Sequence, residues 1–273
     1  AFEFWFEHHS KRHKKTWRED RRKFNNDLGP LHNRKLRDLT KDDIRRLHSR
    51  WAKTKGEVTA NRLLSLVKAV INFAVKEGKY TGADPAVHVS KFKESSRQRY
   101  VTRGEMASLL AAIDEEASLF RDYFLVLLCT GARRSNVATM RWSDVDLDDG
   151  LWTVPETKQG ESHFVTLAPQ VIEILERRRD RLHGLWAFPS PRDPRKALSD
   201  PRKAWARVLK SAGLSDLRMH DLRRTLGSWQ AAAGASELII GKSLGHADGS
   251  KATHIYARLN LDRFARVFRM RSI

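Results

Sequence analysis

LWTVPETKQGESHFVTLA (residues 151–168) breaks from the pattern on either side of it. Two β-prone runs flank Lys158-Gln159-Gly160-Glu161, and a glycine-containing loop between such runs reads as a β-hairpin. The neighbouring segments have helical spacing instead. SLFRDYFLVLLCTG (118–131) is nearly all apolar, so it reads as a deeply buried helix that Gly131 ends. Ahead of it, Thr102 and Glu105 form a capping-box pattern that opens a helix over GEMASLLAAIDEE. After the hairpin come APQVIEILERRRDRL, a Pro-rich loop FPSPRDPRKAL, and three or four further helices. The expectation for residues 102–273 is a mostly helical module carrying one small antiparallel sheet.

The N-terminal block reads differently. TWREDRRKFNNDL runs to a break at Gly29-Pro30. LTKDDIRRLHSRWAKTK starts at Thr40 as N-cap, with Asp42 and Asp43 at the positive end of the helix. TANRLLSLVKAVINFAVKEG places Leu63, Leu66, Val67, Val70, Ile71 and Ala74 on one face, and Gly78 ends it. SKFKESSRQRYVT (90–102) is polar, basic and aperiodic. The expected organisation is a helical basic domain over 1–93, a linker over 94–101, and the mixed domain over 102–273. The first residue is not Met, so the chain is expected to begin inside a longer protein.

Charge is the dominant global property. The 273 residues hold 52 Lys+Arg against 33 Asp+Glu, a formal net charge of +19. Residues 1–93 carry 23 basic and 11 acidic side chains (+12), and the remaining 180 carry 29 and 22 (+7). Such an excess suits a phosphate backbone. The cations are spread over many segments rather than one amphipathic helix, which disfavours a membrane surface. No window is expected to reach the ~18 apolar residues of a membrane span. One cysteine, Cys129, excludes an internal disulfide and fits a reducing cytoplasm. No His/Cys/acid spacing suits zinc, no phosphate-binding glycine loop points to nucleotide hydrolysis, and there is no serine elbow. No metal and no cofactor are expected.

What remains is a scattered set of cations, imidazoles and one phenol. Arg133 lies in CTGARRSN, past the buried helix. Lys158 is at the hairpin tip. His220 and Arg223, in MHDLRRT, share a helix face. His246 and Tyr256 lie in LGHADGSKATHIYARL (244–259). Taken singly, each has a plain structural reading: a helix-end cation, a solvated loop lysine, a cap, a packed ring.

Taken together, TGARRSN, the hairpin lysine of ETKQGESHFVTLAP, HDLRRT, LGH and HIYARL, in that order, resemble the catalytic domain of the tyrosine recombinases, the phage-integrase family. The N-terminal block looks like the helical core-binding domain that precedes it in that family. The motif register selects Arg133 over Arg134 and Arg223 over Arg224. Two departures are visible: Asn136 stands where most members carry an acidic residue, and the gap from His246 to Tyr256 is one residue longer than in many members.

The resemblance implies a mechanism. Tyr256 would attack a DNA phosphodiester, Arg133, Arg223 and His246 would hold the nonbridging oxygens, Lys158 would protonate the departing 5′ oxygen, and His220 would help take the phenol proton. It implies a site-specific recombinase working on double-stranded DNA in a homo-tetrameric synapse, through a Holliday junction, with accessory DNA-bending or directionality proteins, in the cytoplasm of a bacterial host. DNA contacts are expected from Lys14, Lys15, Asn61, Arg62 and Lys68, and from Arg97 and Arg99 in the linker. The tail, with Leu261, Phe264, Val267 and Phe268 at helical spacing, is expected to pack on its own core or on a neighbouring subunit. The rival expectations are a type IB topoisomerase and a non-catalytic DNA-binding protein on the same scaffold.

Overall fold

The computed structural model describes residues 1–155, 162–181 and 184–245. The chain divides into two compact units, residues 1–97 and 98–273, so the division falls inside the expected linker.

In the first unit, α1 (Phe2–Trp5) and α2 (Lys11–His13) flank a π-helical turn, Phe6–Ser10. The apolar start is not a loose end: Phe2, Trp5 and Phe6 are buried, and Phe2 stacks on Phe24 of α3 (Trp17–Asp27) at 3.7 Å. α4 (Lys41–Lys55) opens with Thr40 as N-cap, as expected, and Asp43 returns a hydrogen bond to complete a reciprocal cap that was not expected. Gly56 turns the chain directly into α5 (Glu57–Lys76), with φ of 83°, a conformation glycine reaches without a Cβ penalty. Ile44, Leu63, Leu64 and Ile71 are fully buried between these two helices. By length and mean hydropathy α5 could cross a membrane, but polar and charged residues such as Asn61, Arg62, Lys68 and Asn72 interrupt its apolar run, and half of that window is buried within the protein.

Both ends of the polar segment are tied down. Asn61 Nδ2 donates to the Phe92 carbonyl at 2.9 Å and to Glu94 at 2.8 Å, within the first unit. In the second unit, Arg99 forks onto Glu105, and the Val101 amide donates to Thr225 Oγ1 at 2.9 Å.

The second unit is built on α7 (Ser118–Thr130), whose Tyr123, Phe124 and Val126 are fully buried. Each such side chain removed from water contributes about 1.5–3 kcal/mol. Around it lie α6 (Arg103–Asp114), α8 (Arg134–Ala138), α9 (Pro169–Arg181), α10 (Arg202–Ser211), α11 (Met219–Ala232) and α12 (Glu237–Ser243). The sheet has three antiparallel strands, β1 (Val145–Asp146), β2 (Leu151–Val154) and β3 (His163–Thr166), in that order. The hairpin strands match the expectation, and β1 is an addition too short to show periodicity. Trp152, Val154 and Val165 face the core, while Phe164 points out. Asp122 of α7 is buried with Arg178 of α9, their charged atoms 3.0 Å apart, and Arg178 also donates to the Ala187 carbonyl.

Candidate active site

Gly131 ends α7 in the left-handed conformation, φ 60°. A Cβ there would lie 2.7 Å from Leu244 Cδ2 and 2.9 Å from Leu226 Cδ2. Glycine therefore lets the turn after α7 sit directly against α11 and the turn after α12. Arg133 follows as the N-cap residue of α8, half-buried, with its guanidinium in no hydrogen bond or ion pair among the described residues.

Arg223 lies inside this junction, 4% exposed. Its Nη1 donates to the Gly131 carbonyl at 2.8 Å and its Nη2 to the Leu244 carbonyl. A planar fork reaches two carbonyls at once where a lysine could not. Arg224, the alternative in the HDLRRT motif, is paired with Asp221 of its own helix at 2.9 Å. The Asp221 carboxylate also accepts from the Arg218 amide at 2.8 Å, fixing the start of α11.

Two imidazoles stand in the field of the same arginines. His220, solvent-reaching on the first turn of α11, has a pKa below the ordinary histidine value. The protein mass around its ring is the first cause, and Arg223, Arg224 and Arg133 add to it against the opposing pull of Asp221. His163, on the inner face of β3, is likewise lowered, first by burial, then by Arg133 and Arg223. Its ring lies against Gly245, which has φ of 61°; a Cβ on Gly245 would come within 2.6 Å of Cδ2 and 2.7 Å of Cε1. His163 Nδ1 is buried and has no hydrogen-bond partner among the described residues.

Four segments far apart in sequence thus meet: the α7–α8 turn, β3, α11 and the turn after α12. Arg133, His220 and Arg223 are brought together. Lys158, His246 and Tyr256 lie outside the described residues, as does the tail around Leu261–Phe268 and the hairpin tip. His163 is a residue that sequence reading passed over. The signal was available in the period of two: His163 shares the inward face of β3 with Val165, an unusual place for an unpartnered histidine.

Among the expected DNA contacts, Asn61 is a correction. It is 1% exposed, and its amide is used internally by His48, Phe92 and Glu94. It is a structural clamp on the exit segment. Lys68 is half-buried and donates to the Val89 carbonyl at 2.9 Å. Lys14 pairs with the buried Asp20 at 2.5 Å, over the Trp5 ring. Arg99 is engaged by Glu105, 2.5 Å away, and Arg97 is half-buried and also engaged. Lys15 and Arg62 are exposed, Arg62 making a loose 3.5 Å pair with Glu94. No group of three or more His, Cys, Asp or Glu side chains able to hold a metal occurs among the described residues.

The phage integrase family matches residues 99–263, most of the second unit. The chain belongs to the phage integrase family. It is 29% identical to the integrase of Salmonella phage P22 over 209 residues, 72% of this chain and 52% of that protein. It is 29% identical to the prophage integrase IntF of Escherichia coli K12 over 249 residues, 86% of this chain and 53% of that one. The chain therefore spans about half the length of these relatives. Its fold is that of a lambda integrase fragment bound to DNA, at a TM-score of 0.75 and 20% identity, covering 97% of this chain and 98% of that one. The Tn1549 transposon integrase in complex with circular intermediate DNA gives a TM-score of 0.73 at 15% identity, over 97% and 98% of the two chains.

Proposed function

We propose that the protein is a tyrosine-type site-specific DNA recombinase, the integrase of a phage or other mobile element. The observation that carries this reading is the convergence of Arg133, Arg223 and His220 on one junction, with the turn that leads into residue 246 held there by Arg223.

The chemistry follows from those groups. A scissile phosphate beside Arg133 and Arg223 gains two permanently protonated donors, which stabilise the charge that gathers on its nonbridging oxygens. A preorganised donor of this kind lowers the barrier by roughly 3–4 kcal/mol. His220, held neutral near neutral pH, can accept the phenol proton of Tyr256. The phenolate oxygen then bonds to phosphorus, the bond to the 5′ oxygen breaks, and Lys158 supplies that oxygen's proton. His246 adds a hydrogen bond to the same oxygens. The 3′-phosphotyrosine conserves the phosphodiester energy, so attack by a 5′ hydroxyl from a second duplex rejoins the strands and regenerates the phenol.

In this reading the substrate is double-stranded DNA at recombination sites, held by phosphate contacts from Lys15 and Arg62 of the first unit. Four copies exchange strands through a Holliday junction, with accessory bending or directionality proteins, in a bacterial host. The lambda integrase structures in the same fold include a dimer on a core site and a tetramer on a Holliday junction, which supports extending the reading to assembly.

The deciding experiment is a nicked duplex that traps the covalent intermediate. The wild type is expected to form a protein–DNA adduct linked through Tyr256, and Tyr256→Phe to bind without forming one. Equal behaviour of the two overturns the enzyme reading. Plasmid relaxation without two-site recombination would assign the chemistry to a topoisomerase.

A further inference from the structure

We propose that His163 is a positioning residue for strand transfer, its ring filling the space between the arginine pair and the Gly245 turn so that this turn is held in place against Arg223. The proposal rests on the reading of this junction as the strand-transfer site.

Among the described residues, the contact that defines His163 is the one with Gly245. Its Nδ1 makes no hydrogen bond among the described residues, so the ring is not a link in a polar network. Its Nε2, Cδ2 and Cε1 edge lies where a Cβ on Gly245 would stand. Gly245 is thus a glycine for two reasons, its positive φ and the ring above it. One peptide bond further is residue 246. Leu244, one residue earlier, gives its carbonyl to Arg223. The turn is therefore gripped from both sides: Arg223 pulls on Leu244, and His163 sets a stop against Gly245.

The surroundings also explain why the stop is an imidazole that stays uncharged. Burial lowers its pKa first, and Arg133 and Arg223 add to that effect. A lysine or arginine at position 163 would set a third fixed cation beside the two that the phosphate must neutralise. A neutral ring supplies volume without competing for the phosphate. In this proposal His163 acts through the turn rather than by touching DNA.

The test is a double-substitution cycle on the full chain, reading the single-turnover rate of adduct formation on the nicked duplex, the Kd for DNA and thermal melting. A misplacement of about 1 Å costs on the order of 100-fold in rate. Gly245→Ala, whose new methyl meets the ring, is expected to lose about that much. His163→Ala is expected to lose about 10-fold, with the Kd for DNA within about threefold of wild type. Combined, the two substitutions are expected to recover about 10-fold over Gly245→Ala alone, because removing the ring makes room for the methyl. His163→Phe, which keeps a neutral ring, is expected to stay within about threefold of wild type, whereas His163→Lys falls at least as far as His163→Ala. A double variant no faster than Gly245→Ala, or a His163→Ala rate within twofold of wild type, overturns the proposal while leaving the strand-transfer reading intact. A wild type that forms no adduct overturns that reading, and the proposal with it.

Discussion

Arg223 Nη1 sits 2.8 Å from the Gly131 carbonyl, joining residues 92 apart in sequence inside a buried junction. The other arm of the same guanidinium holds Leu244. A side chain assigned to phosphate binding is therefore also the brace that sets the distance between two motif-bearing turns. Under the proposed function, phosphate binding and stability are coupled at this residue.

Arg223→Lys tests that coupling. The ammonium keeps the charge but cannot span both carbonyls, and one buried acceptor is left without its donor, at a cost of about 1–3 kcal/mol. Adduct formation on a nicked duplex is expected to fall by about 100- to 1000-fold. Melting is expected to fall in the same variant, whereas a residue that only touched phosphate would leave it unchanged.

Gly131→Ala addresses the junction without removing any charge. The added methyl meets Leu244 and Leu226 in a left-handed backbone. Strain and overpacking together are expected to cost about 2–3 kcal/mol. For a unit of this size that is a melting shift of about 4–12 °C, readable by calorimetry.

Much of this organisation was legible in the sequence because the signals are local. The Thr40 N-cap and the Thr102–Glu105 capping box each involve residues three apart, and the structure forms both. The hairpin was readable from two β-prone runs on either side of a glycine-containing loop. His163 was legible only in part: a period of two puts it on the inward face of the strand, but what it packs against depends on Gly245, 82 residues away. Asn61 misled for the same reason: a polar residue on an amphipathic helix looks solvent-facing until His48, Phe92 and Glu94 arrive from other segments. Asp122 and Arg178 were likewise invisible as a buried pair, since each lies in a helix whose pattern says nothing of the other.

Thr225 connects the catalytic helix to the end of the linker, since its hydroxyl accepts from the Val101 amide and donates to the Asp221 carbonyl. Thr225→Val keeps the shape and orphans a buried amide. A loss of about 1–2 kcal/mol is expected in chemical denaturation. The hydroxyl touches neither arginine, so the adduct rate is expected to stay within a few-fold of wild type at temperatures where the variant is folded.

Glu105 gives stability a pH dependence with a defined sign. Its pKa is lowered from 4.5 to about 2, chiefly by the Arg99 guanidinium, with the Thr102 amide and hydroxyl adding to it. A carboxylate depressed in the folded state stabilises above its unfolded pKa, and that contribution disappears as pH falls toward 2. Glu105→Gln is therefore expected to cost about 1–2 kcal/mol above pH 5, after allowance for solvent screening, with the gap to wild type closing as the solution is acidified. Urea unfolding of both proteins across that range reads the difference.

Asn61 and Arg62 are neighbours on α5 with opposite expected phenotypes. Asn61 is buried and saturated with hydrogen bonds, so Asn61→Ala leaves the Phe92 amide and the His48 ring without their acceptor and is expected to destabilise by about 2–3 kcal/mol. Because it faces no solvent, the salt dependence of DNA binding by the folded variant is expected to match wild type. Arg62 is exposed and only loosely paired. If it neutralises a phosphate, Arg62→Ala releases one fewer counterion, and the slope of log K against log salt is expected to become shallower by about 1, with melting unchanged. An unchanged slope for Arg62→Ala removes that residue from the DNA interface, and a shallower slope for folded Asn61→Ala would return Asn61 to it.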